Sequence, residues 1–316
     1  MAAIRAELTK SLVSNSILDA LILTPDSAPL SRSIEDYPEG IIIPINKPYR
    51  WTSADVIRKV KYAAIRHFGK KNLKVGHAGT LDPLATGILL VCIGKATKLA
   101  EELQSHDKEY VAGVTFGATT PSYDLEKEID RFFPHEHITA GKIEAALPSF
   151  IGEQDQIAPL FSAKSVDGVR AYELARKLHA EGKTLDEAAQ ELIRVSKINI
   201  TALKLEEYYS AVMGSSESNP SPCGQMGSTV LGTSLHSTEE SKASSRINVT
   251  DNSALGLPRA VIRMACSKGT YVRAFARDLG EELGTGAHLD SLQRSRSGIF
   301  HIENSLTVDQ TIALLS

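Results

Sequence analysis

The segment 75–90 constrains the fold more than any other part of the sequence, because its residue types are difficult to explain by packing alone. Gly79 and Gly87 permit backbone angles or close approaches that a side chain would prevent. Pro83 fixes its own φ and disfavours the α region for the residue before it, Asp82. The pattern predicts that Asp82 is a solitary acid on a bent loop, which a surrounding scaffold holds in place.

Asp82 and His77 allow several interpretations when only their neighbours are considered. Capping a turn or a helix is the commonest role of a single aspartate in a loop rich in glycine and proline. His77 could be a core or turn histidine. A metal site would need a third ligand at short spacing, and none follows. A phosphate-binding glycine loop would need a dinucleotide fingerprint or a Walker lysine, and the segment has neither.

Composition is that of a soluble globular protein, with 42% apolar and 23% charged residues in a chain of 316. This length suits one large domain or two ordinary ones. No apolar run has the roughly 18 residues of a membrane span, and the N-terminus lacks the apolar core of a signal peptide. The three cysteines lie far apart without metal-ligand spacing. We therefore expect a cytoplasmic protein without disulfides, a metal or membrane association.

Charge is distributed unevenly, although the net charge is only −3. Residues 56–81 contain no acid, and they carry seven lysines and arginines: Arg58, Lys59, Lys61, Arg66, Lys70, Lys71 and Lys74. Two interpretations remain open on charge alone. These residues could form the solvated face of a helix, or they could bind phosphates beside the Asp82 loop.

Hydrophobic periodicity predicts strands and helices in no regular βαβ order. A helix is predicted from a cap at Thr52 or Ser53 to Gly69, with Asp55 in its first turn. A second long helix is predicted at 271–283, and alternating strands at 40–45, 108–117, 195–208 and 259–266. We therefore predict an α+β fold in which helices flank a mixed, largely antiparallel sheet.

Two segments depart from this pattern. Residues 1–39 have weak periodicity and are predicted to form an N-terminal extension. Residues 211–256 contain eleven serines and almost no aromatic residues, so we expect a solvated, low-complexity insertion.

The run from Gly76 to Gly87 (GHAGTLDPLATG) resembles the signature of the TruB family of tRNA pseudouridine-55 synthases. Other motifs occur in family order: Asn46-Lys47-Pro48 with Thr52-Ser53, Ala96-Thr97-Lys98, Lys108-Glu109-Tyr110, Ser162-Ala163-Lys164 with Tyr172, Cys266 to Arg273, and Gly286 to Leu289 with Leu292 and Arg294. The resemblance covers about residues 40–210 and 257–303.

This resemblance implies a pseudouridine synthase catalytic domain at 40–303, in which the loop 160–183 closes over RNA. The tail at 304–316 is too short for the C-terminal PUA domain that many bacterial members carry. Pro121 also departs from the family, because many members have an acidic residue there. The insertion at 211–256 matches no family feature.

The same resemblance implies an isomerase that converts uridine-55 in the TΨC stem-loop of tRNA to pseudouridine. Asp82 is then the catalytic carboxylate, and Arg273 pairs with it. Tyr110 stacks on the base, while Tyr271 and Leu292 line the uracil pocket.

RNA binding follows from the resemblance as well. The target uridine lies inside a folded loop and must be flipped out. His77 fills the space that the flipped nucleotides leave, and Lys47 and Lys98 contact phosphates. We expect the enzyme to act as a monomer.

The reaction breaks the N-glycosidic bond and rejoins the uracil through C5, so it needs no redox step and no cofactor. The carboxylate could attack C1′ or take a proton from C2′, and the sequence does not choose between them. Two alternatives of other classes are a non-catalytic tRNA-binding or folding factor on the same scaffold, and a metal hydrolase built on His77 and Asp82.

Overall fold

The computed structural model describes residues 15–159, 165–166, 169–170, 195–211 and 247–316. The start of the predicted extension, almost all of the predicted RNA-closing loop and most of the predicted insertion lie outside these residues. The described chain forms two compact units. The first contains residues 15–110, 247 and 292–316, and the second contains 111–159, 195–211 and 248–291.

Fourteen strands lie in the described ranges. They are β1 (Leu21–Ile22), β2 (Ile41–Lys47), β3 (Val75–Ala78), β4 (Ala85–Ile93), β5 (Lys108–Phe116), β6 (Ala118–Thr119), β7 (Arg131–Phe132), β8 (Gly152–Ile157), β9 (Ser165–Val166), β10 (Val169–Arg170), β11 (Val195–Tyr209), β12 (Arg259–Cys266), β13 (Ala287–Ser297) and β14 (Phe300–His301). Ten of them belong to one large mixed sheet, and most of its pairings are antiparallel. The predicted fold class is confirmed.

The same ranges contain six α-helices. They are α1 (Asn15–Asp19), α2 (Ser53–Phe68), α3 (Ala100–Ser105), α4 (Ala140–Ala146), α5 (Val272–Glu282) and α6 (Val308–Leu314). No helix in the described part of the chain is both long enough and apolar enough to cross a membrane.

Helix α2 begins and ends where the sequence predicts. The Thr52 hydroxyl accepts the Asp55 N–H (3.1 Å), and the Asp55 carboxylate accepts the Thr52 N–H (3.0 Å), which completes a capping box. Gly69 ends the helix in the left-handed conformation, at φ +62°. Val56 and Val60 are fully buried on its inner face, so packing as well as capping holds the helix in place.

The first unit is built around β4, whose two edges have different partners. On one edge β2 pairs antiparallel with β4 from Gly87 to its end. On the other edge β13 pairs in parallel with β4 up to Gly87, and β3 pairs antiparallel with it from Leu90 onward. Ile88 and Leu89 therefore lie in a gap between β13 and β3. The chain between β3 and β4 is the loop that carries Asp82.

Segments near both ends of the chain pack into the first unit. Leu23 and Leu30 come from the predicted extension, and Leu306 and Leu315 from the neighbourhood of α6; all four are buried in the core cluster that includes β2 and α2. Strand β1 pairs in parallel with β2. Residues 304–316, predicted as a tail, therefore contain a helix that contributes to the core.

The second unit has β11 as its longest strand. β11 pairs antiparallel with β12 on one edge and with β8 on the other. A turn after β12 leads into α5, which buries Phe275 and Leu279 along its inner face. The side chain of Cys266, at the end of β12, is buried, as its apolar neighbours predict.

We predict that Gly87→Ala destabilises the protein by about 2 to 4 kcal/mol in urea unfolding. Gly87 has φ +97°, and a Cβ there would lie 2.3 Å from the backbone oxygen of Arg294 on β13. Gly141→Ala is the matched control, because a Cβ at Gly141 meets nothing within 4 Å and the residue is helical. That variant should be neutral or more stable by up to about 1 kcal/mol. Equal stabilities for the two variants would contradict the prediction.

Candidate active site

Asp82 lies on the loop 79–84, which joins β3 to β4 in the first unit. Gly79 adopts φ +89°, and the Ala85 N–H donates to the Asp82 carbonyl (3.1 Å) to close a turn. Leu81 and Leu84 are buried, whereas Asp82 is half-buried. The two leucines anchor the loop and leave the carboxylate between them at the protein surface.

The first residue of α2 fixes the loop directly beside Asp82. Ser53 Oγ accepts the Leu81 N–H (3.0 Å) and donates to the Leu81 carbonyl (3.2 Å). Ser53 is buried, so both backbone groups of Leu81 are satisfied away from water. The helix cap and the loop are therefore held as one piece.

Lys47 supports the loop from the other side. Its side chain is 0% exposed, and Nζ donates to the carbonyls of Pro48 (3.0 Å), Trp51 (2.6 Å) and Pro83 (3.1 Å). Burial lowers the pKa of the Lys47 ammonium to about 7, and the charge of Asp82 opposes that shift. The predicted contact of Lys47 with phosphate does not fit this geometry, because all three protons of the ammonium point at backbone carbonyls.

Arg294 fills the gap between β13 and β3 on the edge of β4. Its side chain is 2% exposed; Nε donates to the Ile88 carbonyl (2.7 Å), and Nη2 donates to the Gly79 carbonyl (3.1 Å). The guanidinium thus replaces the strand pairing that is missing at Ile88. It also ties the start of the Asp82 loop to the middle of β4.

His77 lies on β3, opposite Val91 of β4. It is half-buried, and its Nδ1 has no hydrogen-bond partner among the described residues. Burial lowers the pKa of His77, and the charge of Arg294 lowers it further. The ring is therefore uncharged near neutral pH, which suits packing against a base better than holding a phosphate.

Tyr110 and Leu292 lie on the same core cluster as Leu81. Tyr110 is on β5 and Leu292 is on β13, in register with Ala85 of β4. Both side chains are half-buried, so each keeps an accessible apolar surface. Lys98 is exposed at the end of a 3-10 turn that precedes α3.

Arg273 and Tyr271 belong to the second unit. Arg273 is buried in the first turn of α5, where Nη1 donates to the Ser122 carbonyl (3.1 Å) and Nε lies 3.7 Å from Asp124 Oδ2. The backbone N–H of Tyr271 donates to Gln156 Oε1 (2.8 Å), and its carbonyl accepts from Gln156 Nε2 (3.1 Å). Both functional candidates are thus held by buried side-chain contacts. The pairing of Arg273 with Asp82 stays a prediction.

Comparisons with known proteins agree with the motifs. The model described as "TruB family pseudouridylate synthase (N terminal domain)" matches residues 66–219, and "tRNA pseudouridylate synthase B C-terminal domain" matches residues 273–315. A protein of Phocaeicola vulgatus named "tRNA pseudouridine synthase B" is 43% identical over 274 residues, which cover 87% of this chain and 92% of that protein. One of the same name from Bacteroides fragilis is 43% identical over 271 residues, covering 86% and 92%.

The chain belongs to the TruB family of pseudouridylate synthases. The family predicted from the sequence motifs is therefore confirmed, and with it the enzyme class, an isomerase. A solved structure of an H/ACA RNP bound to a substrate RNA shares the fold, with a TM-score of 0.51 at 19% identity. The match covers 96% of this chain and 59% of that structure's chain.

Sequence reasoning did not assign roles to several residues that shape this TruB-family site. Arg294 entered only as part of a motif, and Gln156 and Asp124 were not recognised as partners of Tyr271 and Arg273. These contacts join positions more than a hundred residues apart in the chain. A buried glutamine in a strand carries no local signal of such a partner. Within the described residues, no group of three potential metal-ligating side chains occurs.

We predict that Arg294→Met lowers the free energy of unfolding by about 2 to 4 kcal/mol. The substitution leaves the Ile88 and Gly79 carbonyls buried without a donor, at about 1 to 3 kcal/mol each. Arg296→Met, on the same strand, is the control and should cost less than about 1 kcal/mol, because Arg296 is half-buried and donates to a carbonyl only two residues away. Urea unfolding measures both. Similar decreases in the free energy of unfolding of the two variants would show that the buried hydrogen bonds of Arg294 have no special role in stability.

We also predict that Lys47 makes stability depend on pH. The ammonium has a pKa of about 7 in the folded protein and 10.5 ordinarily, so between these values the unfolded state binds more protons. Stability therefore rises with pH in that window, by up to about 1.4 kcal/mol per pH unit. The free energy of unfolding of the wild type, minus that of Lys47→Met, should increase from pH 7 to pH 9. A constant difference would show that Lys47 keeps its proton in the folded state.

Proposed function

We propose that this protein isomerises uridine-55 in the TΨC loop of tRNA to pseudouridine, with Asp82 as the catalytic carboxylate. Family membership supports the reaction class, and the relatives' names support tRNA as substrate. The observation that carries the proposal is the setting of Asp82. It is a half-buried carboxylate on a loop that Ser53, Lys47 and Arg294 hold by hydrogen bonds to its backbone.

Such a setting suits catalysis at a sugar. Positioning contributes most when a reacting group is fixed before the substrate arrives, and here buried contacts fix the backbone on both sides of Asp82. The carboxylate attacks C1′ as the N1–C1′ bond breaks, or removes a proton from C2′ to give a glycal. After the uracil turns, C5 bonds to C1′. In the first route this displaces the carboxylate from C1′, and in the second the carboxylic acid returns its proton to C2′. In both routes the C5 proton then leaves and N1 gains a proton.

The remaining roles rest on the resemblance. Arg273 pairs with Asp82 in the enzyme–RNA complex. Tyr110 stacks on the uracil, a role that suits a half-buried ring with one accessible face. Tyr271 and Leu292 line the base pocket.

Access to uridine-55 requires the nucleotide to leave the folded loop. His77 occupies the space that the flipped nucleotides vacate, and its uncharged ring suits that contact. Lys98, which is exposed, contacts a phosphate of the TΨC stem-loop.

We predict that Asp82→Asn abolishes pseudouridine formation, with a loss of at least about a thousandfold, while tRNA binding remains within a few-fold of wild type. Arg273→Lys should lower the rate strongly because a lysine does not reproduce the guanidinium geometry. Release of tritium from tRNA transcript labelled at C5 of uridine measures the reaction. Asp26→Asn, at an exposed position of the first unit, should release tritium at the wild-type rate.

A transcript with cytidine at position 55 tests the site. It should release no tritium from that position, whereas the unaltered transcript does. Wild-type protein that binds the unaltered transcript and releases no tritium would favour the alternative, a non-catalytic tRNA-binding factor. Activity retained in Asp82→Asn would remove Asp82 from the mechanism and leave the family assignment intact.

A further inference from the structure

The outer face of α2 carries a tyrosine that the fold leaves in solvent. Tyr62 is 71% exposed, the highest value among the exposed large hydrophobic side chains of the described residues. Arg58 precedes it by four positions and Arg66 follows it by four, so the three side chains share one face of the helix. Arg58 and Arg66 are exposed as well. The Tyr62 ring thus lies between two guanidinium groups, and the three side chains form a row on the surface of the protein rather than in its core.

Positive charge predominates around this row, although Asp55 contacts Arg58 and Glu35 pairs with Lys70. No acid occurs from residue 56 to residue 81, and Lys61, Lys71 and Lys74 are exposed along the same stretch. In the described part of the chain, Lys61 and Arg66 have no acidic partner within ion-pair distance. A face with this charge favours a polyanion as its partner, because a polyanion can contact many of these cations at once. An acidic patch on a folded protein would contact only a few of them.

The position of the row relative to Asp82 follows from the helix itself. Ser53, the first residue of α2, bonds both backbone groups of Leu81, the residue before Asp82. At 1.5 Å per residue, Arg58 lies about 8 Å along the helix axis from Ser53, Tyr62 about 14 Å and Arg66 about 20 Å. The row therefore begins close to the Asp82 loop and extends away from it. Its far end is well beyond the reach of the nucleotide that Asp82 attacks.

We propose that Arg58, Tyr62 and Arg66 form a docking row for tRNA outside the target nucleotide. The two guanidinium groups bind phosphates, and the Tyr62 ring stacks on an unpaired base between them. This inference rests on the proposed function, since it takes tRNA as the polyanion. It adds a binding surface that holds the RNA without touching the reacting base.

Tyr62→Ala tests the stacking contact. Loss of one stacked base should weaken tRNA binding by about 5- to 100-fold in fluorescence anisotropy. Tyr62→Phe keeps the ring and should bind within about twofold of wild type. All these side chains are exposed, so urea unfolding of each variant should match wild type. Equal affinity of wild type and Tyr62→Ala for tRNA would overturn the role of the ring.

The double substitution Arg58→Ala with Arg66→Ala tests the phosphate contacts. Two lost contacts should reduce the slope of log affinity against log salt by about 1.5. Lys142→Ala, an exposed lysine on α4, is the control and should leave the slope unchanged. An unchanged slope in the double variant would overturn the proposal.

Steady-state kinetics distinguish a role in docking from a role in catalysis. Tyr62→Ala and the double arginine variant should each raise KM and leave kcat at saturating tRNA unchanged, because the row does not contact the reacting nucleotide. A fall in kcat at saturation would overturn that placement. Failure of the proposed function has a different signature: the wild type would release no tritium, whereas affinities and salt slopes would still report on the row.

Discussion

The site depends most on the two hydrogen bonds that the buried guanidinium of Arg294 donates to backbone carbonyls. Strand β4 loses β13 as a partner after Gly87 and gains β3 only at Leu90, so its edge is open between them. Arg294 supplies a donor to Ile88 and a second one to Gly79. A sheet edge without partners would be costly in a buried position. Because the Arg294 side chain satisfies this edge, β3 can end its pairing with β4 at Leu90. The residues between β3 and β4 then form the Asp82 loop.

The buried side chains of Lys47 and Arg294, together with the Asp82 carboxylate, define the electrostatics of the loop. Lys47 and Arg294 both donate to backbone carbonyls within or beside the loop, and the charge of Arg294 lowers the pKa of Lys47 while that of Asp82 raises it. Below about pH 7, where Lys47 is protonated, two like charges lie in this buried region, and the nearby Asp82 carboxylate offsets part of their repulsion. The carboxylate that the proposed mechanism requires is thus also part of what stabilises its own support.

Local signals predicted the parts of this structure that depend on neighbouring residues. The capping box of α2, the glycine at its end, the bent Asp82 loop and the antiparallel strands all follow from short-range pattern, and the family motifs identified the chain. Local signals did not predict the contacts between distant residues, because these depend on which segments meet. Examples are the burial of Lys47, the Gln156–Tyr271 bonds, and the packing of residues 15–39 and α6. A lysine beside a proline has the same sequence pattern whether its ammonium faces phosphate or three carbonyls.

Helix α2 connects the catalytic loop with the proposed RNA surface through its two faces. Its inner face packs on the core through Val56 and Val60, and Ser53 at its start holds the loop. Its outer face carries no acid after Asp55, so nothing along the helix repels a polyanion that reaches the loop. A helix fixed at the loop and in the core cannot turn its basic face independently of Asp82. Binding energy gained along that face would therefore hold the RNA on the same rigid piece of structure that carries the carboxylate, and it would act on KM rather than on kcat.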